Sequence, residues 1–157
     1  GNQPIQHMLY LYNWSGQPWK TQQRIREVMD KFYTCHPDGY CGDEDNGQTS
    51  AWYVFSAMGF YPVCPATDQY ILGTPLFKKV EVSMPGGKTL TINAPDNGKK
   101  NFYVAGMKVN GKKYTRTYLE HDLLIKGADI YYTMSDQPSK NRSVSLEDRP
   151  YSFSNER

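Results

Sequence analysis

The sequence has 157 residues, 38% of them hydrophobic and 14% aromatic, a length that allows one ordinary domain or two small ones. Its net charge of +2 is spread over 18 basic and 16 acidic residues, which excludes the basic surface typical of proteins that bind nucleic acid or anionic membranes. No apolar run approaches the roughly 18–20 residues of a membrane span, and no signal peptide is visible at residue 1.

Helical patterns fill the first 62 residues of the chain. The first predicted helix is stopped by Gly16 and Pro18, and its apolar side chains share one face: Ile5, Met8, Leu9 and Tyr12. The second predicted helix starts near Pro18, and its apolar stripe has helical spacing: Ile25, Val28, Met29, Phe32 and Tyr33. We expect this helix to bury the stripe and to point Arg26 elsewhere.

A third helix is predicted to begin around residues 48–50, where Thr49 or Ser50 is expected to cap it, and to end at Gly59. Its residues are apolar on nearly every side. A helix of this kind is typical of the interior of a domain larger than three helices. The sequence therefore predicts that these helices are part of a larger helical domain.

Alternating patterns with turn signals predict short strands between residues 68 and 134, after a linker marked by Pro62, Pro65 and Asp68. The predicted strands cover residues 80–84, 89–93, 102–109, 113–119, 123–125 and 130–134. Pro85-Gly86-Gly87 and Asn110-Gly111 are typical of hairpin turns. These patterns predict a small antiparallel sheet or sandwich, and hence an α+β fold. The polar residues after 135 are expected to lie along the surface or to be disordered.

The three cysteines, Cys35, Cys41 and Cys64, are too few for a disulfide scaffold. Cys35 and Cys41 could close a short loop, although free and buried cysteines are the expected state. The three histidines lie far apart, and no C-x-x-C motif occurs, so the sequence does not predict a zinc site.

The most informative segment, residues 38–48, places three consecutive acids from Asp43 to Asp45 in a glycine-rich loop ahead of the third helix. If this segment is extended, Asp43 and Asp45 point the same way and could jointly hold a water. The alternative is a solvated acidic turn that caps the helix and favours its dipole. A calcium EF-hand is excluded by spacing, because Gly47 falls at the fifth position and Val54 stands where a glutamate ligand belongs.

The run GDEDNGQTSAWYVFSAMGFYPVCP, from Gly42 to Pro65, closely resembles glycoside hydrolase family 92, the exo-acting α-mannosidases. The segment LYNWSGQPWKTQ, from Leu11 to Gln22, and YILGTPLF, from Tyr70 to Phe77, are similar to two further segments of that family. The resemblance covers about residues 1–135.

The resemblance implies an enzyme with an N-terminal β-sandwich and an (α/α)6 barrel. Residues 1–64 would be the last barrel helices and the loop of the catalytic base, 65–135 a small antiparallel β module, and 136–157 a polar tail. The chain would depend on the rest of the enzyme as its partner and be inactive alone. It would work on mannose-containing glycans outside the cytoplasm, in the periplasm, at the cell surface or after secretion.

The resemblance also implies calcium as cofactor and hydrolysis of terminal α-linked mannose, with α-1,2 linkages expected, by inversion at the anomeric carbon. Asp43 and Asp45 match the family's pair of base aspartates, with Asp45 the principal base. The family's catalytic acid, a glutamate, lies in a segment upstream of this sequence. The sequence does not identify the calcium ligands.

Four residues near the N-terminus are candidate substrate contacts. The segment Gly1-Asn2-Gln3-Pro4 stands where the family commonly has Gly-Asn-Glu-Pro, and the loss of charge at Gln3 bears on linkage preference. The alternative is that these two residues merely cap the first helix. Trp14 is a candidate for stacking on a sugar ring and His7 for a polar contact, whereas Trp52 is expected in the core.

The residue pattern, without the family resemblance, also allows a different class of protein. The β half could be a carbohydrate-binding or purely structural module, with a groove lined by Tyr103, Tyr114 or Tyr118. A hydrolase predicts that Asp43 and Asp45 face a cleft, whereas a binding module predicts a tyrosine-lined groove.

Overall fold

The computed structural model describes residues 2–155 and has an α+β fold. The chain begins with a 3₁₀ helix at Gln3–Asn13, and the α-helices are α1 (Pro18–Phe32), α2 (Gln48–Met58) and α3 (His121–Ile125). The strands are β1 (Phe60–Tyr61), β2 (Gln69–Leu72), β3 (Lys79–Met84), β4 (Lys88–Asn93), β5 (Tyr103–Val109), β6 (Lys112–Lys113), β7 (Tyr118–Glu120) and β8 (Asp129–Ser135). Short 3₁₀ turns occur at Pro85–Gly87, Leu146–Asp148 and Phe153–Asn155.

The N-terminal 3₁₀ helix buries its polar face, so the predicted apolar face is wrong. Ile5 and Met8 are 51% and 53% exposed, while Tyr10 and Asn13 are fully buried. The polar side chains are buried because they connect the helix to distant elements. The Tyr10 hydroxyl hydrogen-bonds the Ser56 hydroxyl at 2.8 Å, and the Asn13 amide donates to the carbonyl oxygen of Leu72 at 3.0 Å.

Helix α1 packs Ile25 and Met29 into the core, as its periodicity predicts, but Phe32 at the end of the same stripe is 51% exposed, contrary to the prediction. The prediction for Arg26 is wrong, because this side chain is only 6% exposed. Its guanidinium donates to the carbonyl oxygen of Pro75 at 2.7 Å and to the Asn97 side-chain oxygen at 3.0 Å. These acceptors offset much of the cost of burying a cation, although desolvation still lowers the pKa of Arg26.

Helix α2 lies between two glycines with left-handed backbone. Gly47 at its start has φ 98°, and Gly59 at its end has φ 106° and donates its N–H to the carbonyl oxygen of Phe55. The predicted end at Gly59 is confirmed. The prediction that Thr49 or Ser50 occupies the N-cap position is wrong, because Gly47 is the cap and has no side chain to accept a hydrogen bond.

The strands form two sheets, one of three strands in the order β1-β2-β7 and one of five in the order β3-β4-β8-β5-β6. The predicted hairpin of β3 and β4 is confirmed, as is the turn at Asn110-Gly111, whose φ angles of 49° and 77° suit type I′. The prediction of a purely antiparallel module is wrong, because β4 pairs with β8 in parallel, with Ile92 opposite Ile130. This pairing is possible because a long connection returns the chain in the same direction.

Two predicted strands are also revised by the structure. The strand predicted over residues 113–119 is reduced to β6 and β7, and residues 123–125 lie in helix α3. This helix is a single short turn, with Leu124 buried and an ion pair of 2.8 Å between Asp122 and Lys126. Five residues are too few to show helical periodicity in the sequence.

The three-stranded sheet contributes to two hydrophobic cores. Its Ile71 and Tyr118 pack with α1, α2 and the N-terminal helix. Its Phe60 and Leu72 pack with the five-stranded sheet. The sheet thereby holds the helices and the larger sheet together.

The described part of the tail lies along the surface, which is one of the two predicted alternatives. Thr117 donates its N–H to the carbonyl oxygen of Asp148 at 2.7 Å, and the Trp14 indole donates to that of Tyr151 at 2.8 Å. Residues 156 and 157 lie outside the described residues. Within residues 2–155, the helices are either too short or too polar to cross a membrane.

Replacing Gly127 by alanine is expected to lower the free energy of unfolding by more than about 1 kcal/mol. The φ of Gly127 is 78°, and a Cβ atom there would stand 2.8 Å from the Thr89 carbonyl oxygen. Gly86→Ala is the matched control, because its φ of 74° imposes similar backbone strain with no atom within 4 Å of the new methyl group. Thermal unfolding followed by circular dichroism measures both, and equal losses would contradict the steric argument.

Candidate active site

The acidic loop follows a small hairpin after α1. Tyr33 and Tyr40 form an isolated antiparallel bridge, and the N–H of Thr34 donates to the carbonyl oxygen of Gly39 at 2.9 Å. A Cβ atom at Gly39 would collide with the Thr34 carbonyl oxygen, so the turn requires glycine. This hairpin fixes where the chain enters the acidic segment.

An open depression of about 580 Å³ lies between the hairpin and the acidic segment. It is lined by Thr34, Cys35, His36, Pro37, Asp38, Gly39, Tyr40, Gly42, Asp43 and Glu44. Asp38 was not among the residues that the sequence identified as site candidates. Asp38 and His36 line the same depression as Asp43, a juxtaposition that depends on the hairpin turn and has no separate sequence signal.

Asp43 and Asp45 are both exposed, whereas Glu44 between them is half-buried. Within residues 2–155, no hydrogen bond or ion pair engages the carboxylate of either aspartate. Both are therefore available to a ligand or a water. The depression is lined by Asp43 but not by Asp45.

Glu44 supplies the cap that α2 otherwise lacks. Its Oε2 accepts the Gly47 N–H at 2.6 Å, and its Oε1 accepts the Ser50 N–H at 3.4 Å. Hydrogen bonds from Ser50 and from the Gly47 amide hold the pKa of Glu44 below its usual range. The alternative of a helix-capping acid is thus realised by the middle residue of the three and not by the flanking aspartates.

The backbone turns sharply where the acids meet the helix. Asp45 and Asn46 have φ angles of 56° and 54°, and Gly47 follows at 98°. The extended conformation expected through Asp45 is therefore wrong. Left-handed residues other than glycine cost free energy, and such strain is concentrated at functional sites. The turn is stabilised by the Thr49 hydroxyl, which donates to the Asp43 carbonyl oxygen at 2.9 Å.

Gln6 connects the N-terminal helix to the base of the acidic loop. Its side-chain amide donates to the Thr49 hydroxyl at 3.1 Å, and its backbone carbonyl oxygen accepts from the Trp52 indole N–H at 3.2 Å. The sequence did not identify Gln6, and its spacing from α2 carries no local signal. Through Gln6, the first turns of the N-terminal helix lie beside the acidic loop.

The candidate substrate contacts are divided between the two ends of the N-terminal helix. Asn2 and Gln3 are exposed at its start, where the Asn2 side chain accepts the Gln3 N–H at 3.0 Å, and His7 lies half-buried in the next turn. Trp14 lies eight residues beyond Gln6, roughly 16 Å along a 3₁₀ helix. Its ring is half-buried and its indole N–H is bonded to the tail. Trp52, by contrast, is in the core as predicted.

The cysteines are free and exposed, so the expectation that they are buried is wrong. Cys35 lines the depression, whereas Cys41 lines a separate apolar cavity of about 200 Å³ beside Trp52. The two cysteines thus line different cavities and form no disulfide with each other.

Of the three tyrosines considered for a groove on the β half, Tyr114 lines an open depression of about 670 Å³, whereas Tyr103 and Tyr118 do not line it. Tyr103 and Tyr118 are each only 8% exposed. Tyr114 is half-buried, and its hydroxyl donates to the Tyr118 carbonyl oxygen at 2.7 Å. The rings of Tyr103 and Tyr118 are held in the core and cannot offer a face to a sugar.

The described residues offer only part of a metal site. In residues 2–155, no three His, Cys, Asp or Glu side chains lie close enough together to hold a metal ion. Calcium takes six to eight oxygen ligands. The unengaged carboxylates of Asp43 and Asp45 are oxygen ligands of the kind calcium prefers, but they cannot complete its coordination.

Comparisons with known proteins place the chain among the glycoside hydrolases. The model of the glycosyl hydrolase family 92 catalytic domain matches residues 1–136. The chain therefore belongs to glycoside hydrolase family 92. The matched region includes the acidic loop, both sheets and the helices described above.

Solved structures and a curated relative agree with this assignment. An inverting mannosidase of the family from Bacteroides thetaiotaomicron VPI-5482 is 53% identical, with a TM-score of 0.92 over 98% of this chain and 21% of its own. An α-mannosidase of the family from the same species is 42% identical, with a TM-score of 0.93 over 98% of this chain and 21% of its own. An uncharacterized secreted glycosidase of Arthroderma benhamiae is 28% identical over 88% of this chain and 18% of its own length. The chain thus spans about a fifth of these relatives.

Proposed function

We propose that this chain is the C-terminal part of an exo-acting, inverting α-mannosidase that removes terminal α-linked mannose from glycans. The observation that carries the proposal is the strained acidic turn ahead of α2, which leaves the carboxylates of Asp43 and Asp45 unengaged. Strained backbone is concentrated at functional sites, and a carboxylate without a partner is available to accept a proton from a water. Both features suit a catalytic base. The 53% identity to an inverting mannosidase supports the same reaction and stereochemistry.

In this mechanism Asp45 is the principal base and Asp43 shares the water. Asp45 takes a proton from a water while the oxygen of that water attacks the anomeric carbon, and the bond to the leaving oxygen breaks. A carboxylic acid outside this chain protonates the leaving oxygen from the other face of the sugar. Inverting enzymes hold the two carboxyl groups about 6.5–9.5 Å apart, which leaves room for the water.

The helices and sheets are proposed to extend a larger enzyme. Residues 1–64 would complete an (α/α)6 barrel, residues 65–135 would form the β module, and residues 136–157 would be the tail that binds both. Large apolar side chains are exposed on the N-terminal helix, α1 and α2: Ile5, Met8, Leu11, Phe32 and Val54. Exposed apolar groups of this kind mark contact surfaces. We propose that the remaining barrel helices cover them and that an N-terminal β-sandwich completes the enzyme.

Calcium is proposed as the cofactor, and the unengaged carboxylates of Asp38, Asp43 and Asp45 are the candidate ligands that the described residues offer near the acidic loop. Its other ligands would come from the rest of the enzyme, from water or from the mannose 2- and 3-hydroxyls. When bound, the ion would orient these hydroxyls and help to distort the sugar ring. Asp43 and Asp45 would still act on the water through their own oxygen atoms.

The proposed substrate is mannose in α-1,2 linkage on a glycan outside the cytoplasm. The description of the fungal relative as secreted supports this location. Asn2, Gln3 and His7, which lie on the helix joined to the acidic loop through Gln6, would contact the sugar next to the scissile bond. Trp14, at the far end of that helix, would contact a more distant sugar unit.

The enzyme that contains this chain is expected to release mannose from α-linked mannobiose and to lose most of that activity in a calcium chelator. Activity should return when calcium is added in excess. Proton NMR of the first-formed product is expected to show β-mannose, because inversion places the attacking water opposite the leaving group. Initial formation of α-mannose would contradict the inverting mechanism, and full activity in chelator would contradict the calcium requirement.

A further inference from the structure

The side chain of Glu44 has a structural position unlike that of its two acidic neighbours. Asp43 and Asp45 are exposed and unengaged, whereas both Glu44 carboxylate oxygens accept backbone N–H groups, from Gly47 at 2.6 Å and from Ser50 at 3.4 Å. A carboxylate at a helix N-terminus also interacts favourably with the helix dipole. Both carboxylate oxygens of Glu44 are therefore engaged by the start of α2, although Glu44 also lines the depression.

The turn that Glu44 holds is costly, and the side chains of Glu44 and Thr49 both support it. Asp45, Asn46 and Gly47 are three consecutive residues with left-handed backbone. A non-glycine residue in this region costs on the order of 1 kcal/mol or more, although Asp and Asn tolerate it best. Gly47 has no side chain with which to cap α2. The Glu44 side chain compensates by accepting the N–H groups of Gly47 and Ser50 at the start of α2.

A hydrogen-bonded connection extends from Glu44 to the other wall of the depression. Glu44 binds the Ser50 N–H, and the Ser50 hydroxyl hydrogen-bonds the Tyr40 hydroxyl at 2.7 Å. Tyr40 belongs to the hairpin, and its ring packs edge-on against Tyr33 with centroids 5.7 Å apart. The start of α2, the acidic turn and the hairpin are therefore held in one arrangement around Glu44.

We propose that Glu44 is a positioning residue of the active site, which holds the backbone of Asp43 and Asp45 so that their carboxylates meet the water and the anomeric carbon. This inference rests on the proposed function of the two aspartates. Glu44 does not itself touch substrate or transfer a proton. It acts through the geometry of the turn, and a misplacement of about 1 Å at a catalytic group can cost 100-fold in rate.

The test compares Glu44→Gln and Glu44→Ala in the complete enzyme. Glutamine has one acceptor oxygen in place of two and presents an NH₂ group to the other N–H, so it preserves only part of the anchor. We expect kcat to fall roughly 10-fold for Glu44→Gln and roughly 100-fold for Glu44→Ala, with KM changed less than about threefold. Glu147→Gln, an exposed acid in the short 3₁₀ turn of the tail, is the control and should leave kcat unchanged.

A merely structural role predicts a different pattern. It would lower the melting temperature of the Glu44 variants and leave kcat of the folded enzyme, assayed well below that temperature, within about twofold of the wild type. That result, obtained while Asp45→Asn is inactive, would overturn the positioning role and leave the proposed function intact. If Asp45→Asn also kept its activity, the proposed function would fail and the role of Glu44 with it.

Discussion

Asp45→Asn is expected to reduce kcat for mannose release by 100-fold or more in the complete enzyme, because an amide cannot accept a proton from the attacking water. Its effect on folding should be small. Asp45 has a φ of 56°, and asparagine is the residue that, after glycine, best tolerates this left-handed conformation. The side chain also makes no hydrogen bond or ion pair within the described residues. Initial rates at saturating substrate, with circular dichroism to confirm folding, measure the effect.

Two variants make this result specific. Asp43→Asn is expected to lose less activity than Asp45→Asn, because Asp43 shares the water and is not the principal base. Asp96→Asn removes an exposed carboxylate from the connection between β4 and β5 and should retain wild-type activity. Near-normal turnover in Asp45→Asn would contradict its assignment as the base, whatever the effect of Asp43→Asn.

Trp52→Ala is expected to cause the largest loss of stability among single substitutions in the helical core, about 3–5 kcal/mol. Trp52 is 1% exposed, and its ring stacks on Tyr33 with centroids 5.5 Å apart. Removing it would leave a cavity beside α2. It would also leave the Gln6 carbonyl oxygen without its indole donor, which lies at 3.2 Å. Urea unfolding followed by far-UV circular dichroism measures the change.

Trp19, a half-buried tryptophan of α1, provides the matched control for this prediction. Trp19 is half-buried, and its ring contacts the ammonium groups of Lys20 and Lys140 at 5.4 and 5.5 Å from the ring centroid. Exposed cation–π contacts of this kind contribute about 0.5–1 kcal/mol each. Trp19→Ala should therefore cost much less than Trp52→Ala. A loss of similar size in both variants would contradict the placement of Trp52 as the centre of the helical core.

The acidic loop shows how far the candidate site could be predicted. Its composition and its family resemblance indicated Asp43 and Asp45 as site candidates, but they did not indicate which of the three acids caps α2. That choice depends on the left-handed turn at Asp45 and on the missing side chain at Gly47. Glu44 lies within reach of the free N–H groups of α2, so it caps the helix and leaves the aspartates exposed.

Buried polar residues were the hardest feature to predict from the sequence. Arg26 has the pattern of a surface residue, yet it is buried because its acceptors come from Pro75 and Asn97, which lie 49 and 71 positions further along the chain. Gln6 similarly finds its partner in Thr49, 43 positions away. A polar group can be buried at low cost only when such a partner is present. The pattern of neighbouring residues does not contain that information.

The amino-acid sequence by itself determined the features that depend on nearby residues. These are the end of α2 at Gly59, the type I′ turn at Asn110-Gly111, and the run of acids that belongs to a glycoside hydrolase family. Only the tertiary structure decided the parallel pairing of β4 with β8 and the capping of α2 by Glu44. Backbone conformation and periodicity follow from interactions over a few residues, whereas strand neighbours and buried hydrogen bonds depend on segments that meet only when the whole chain has folded.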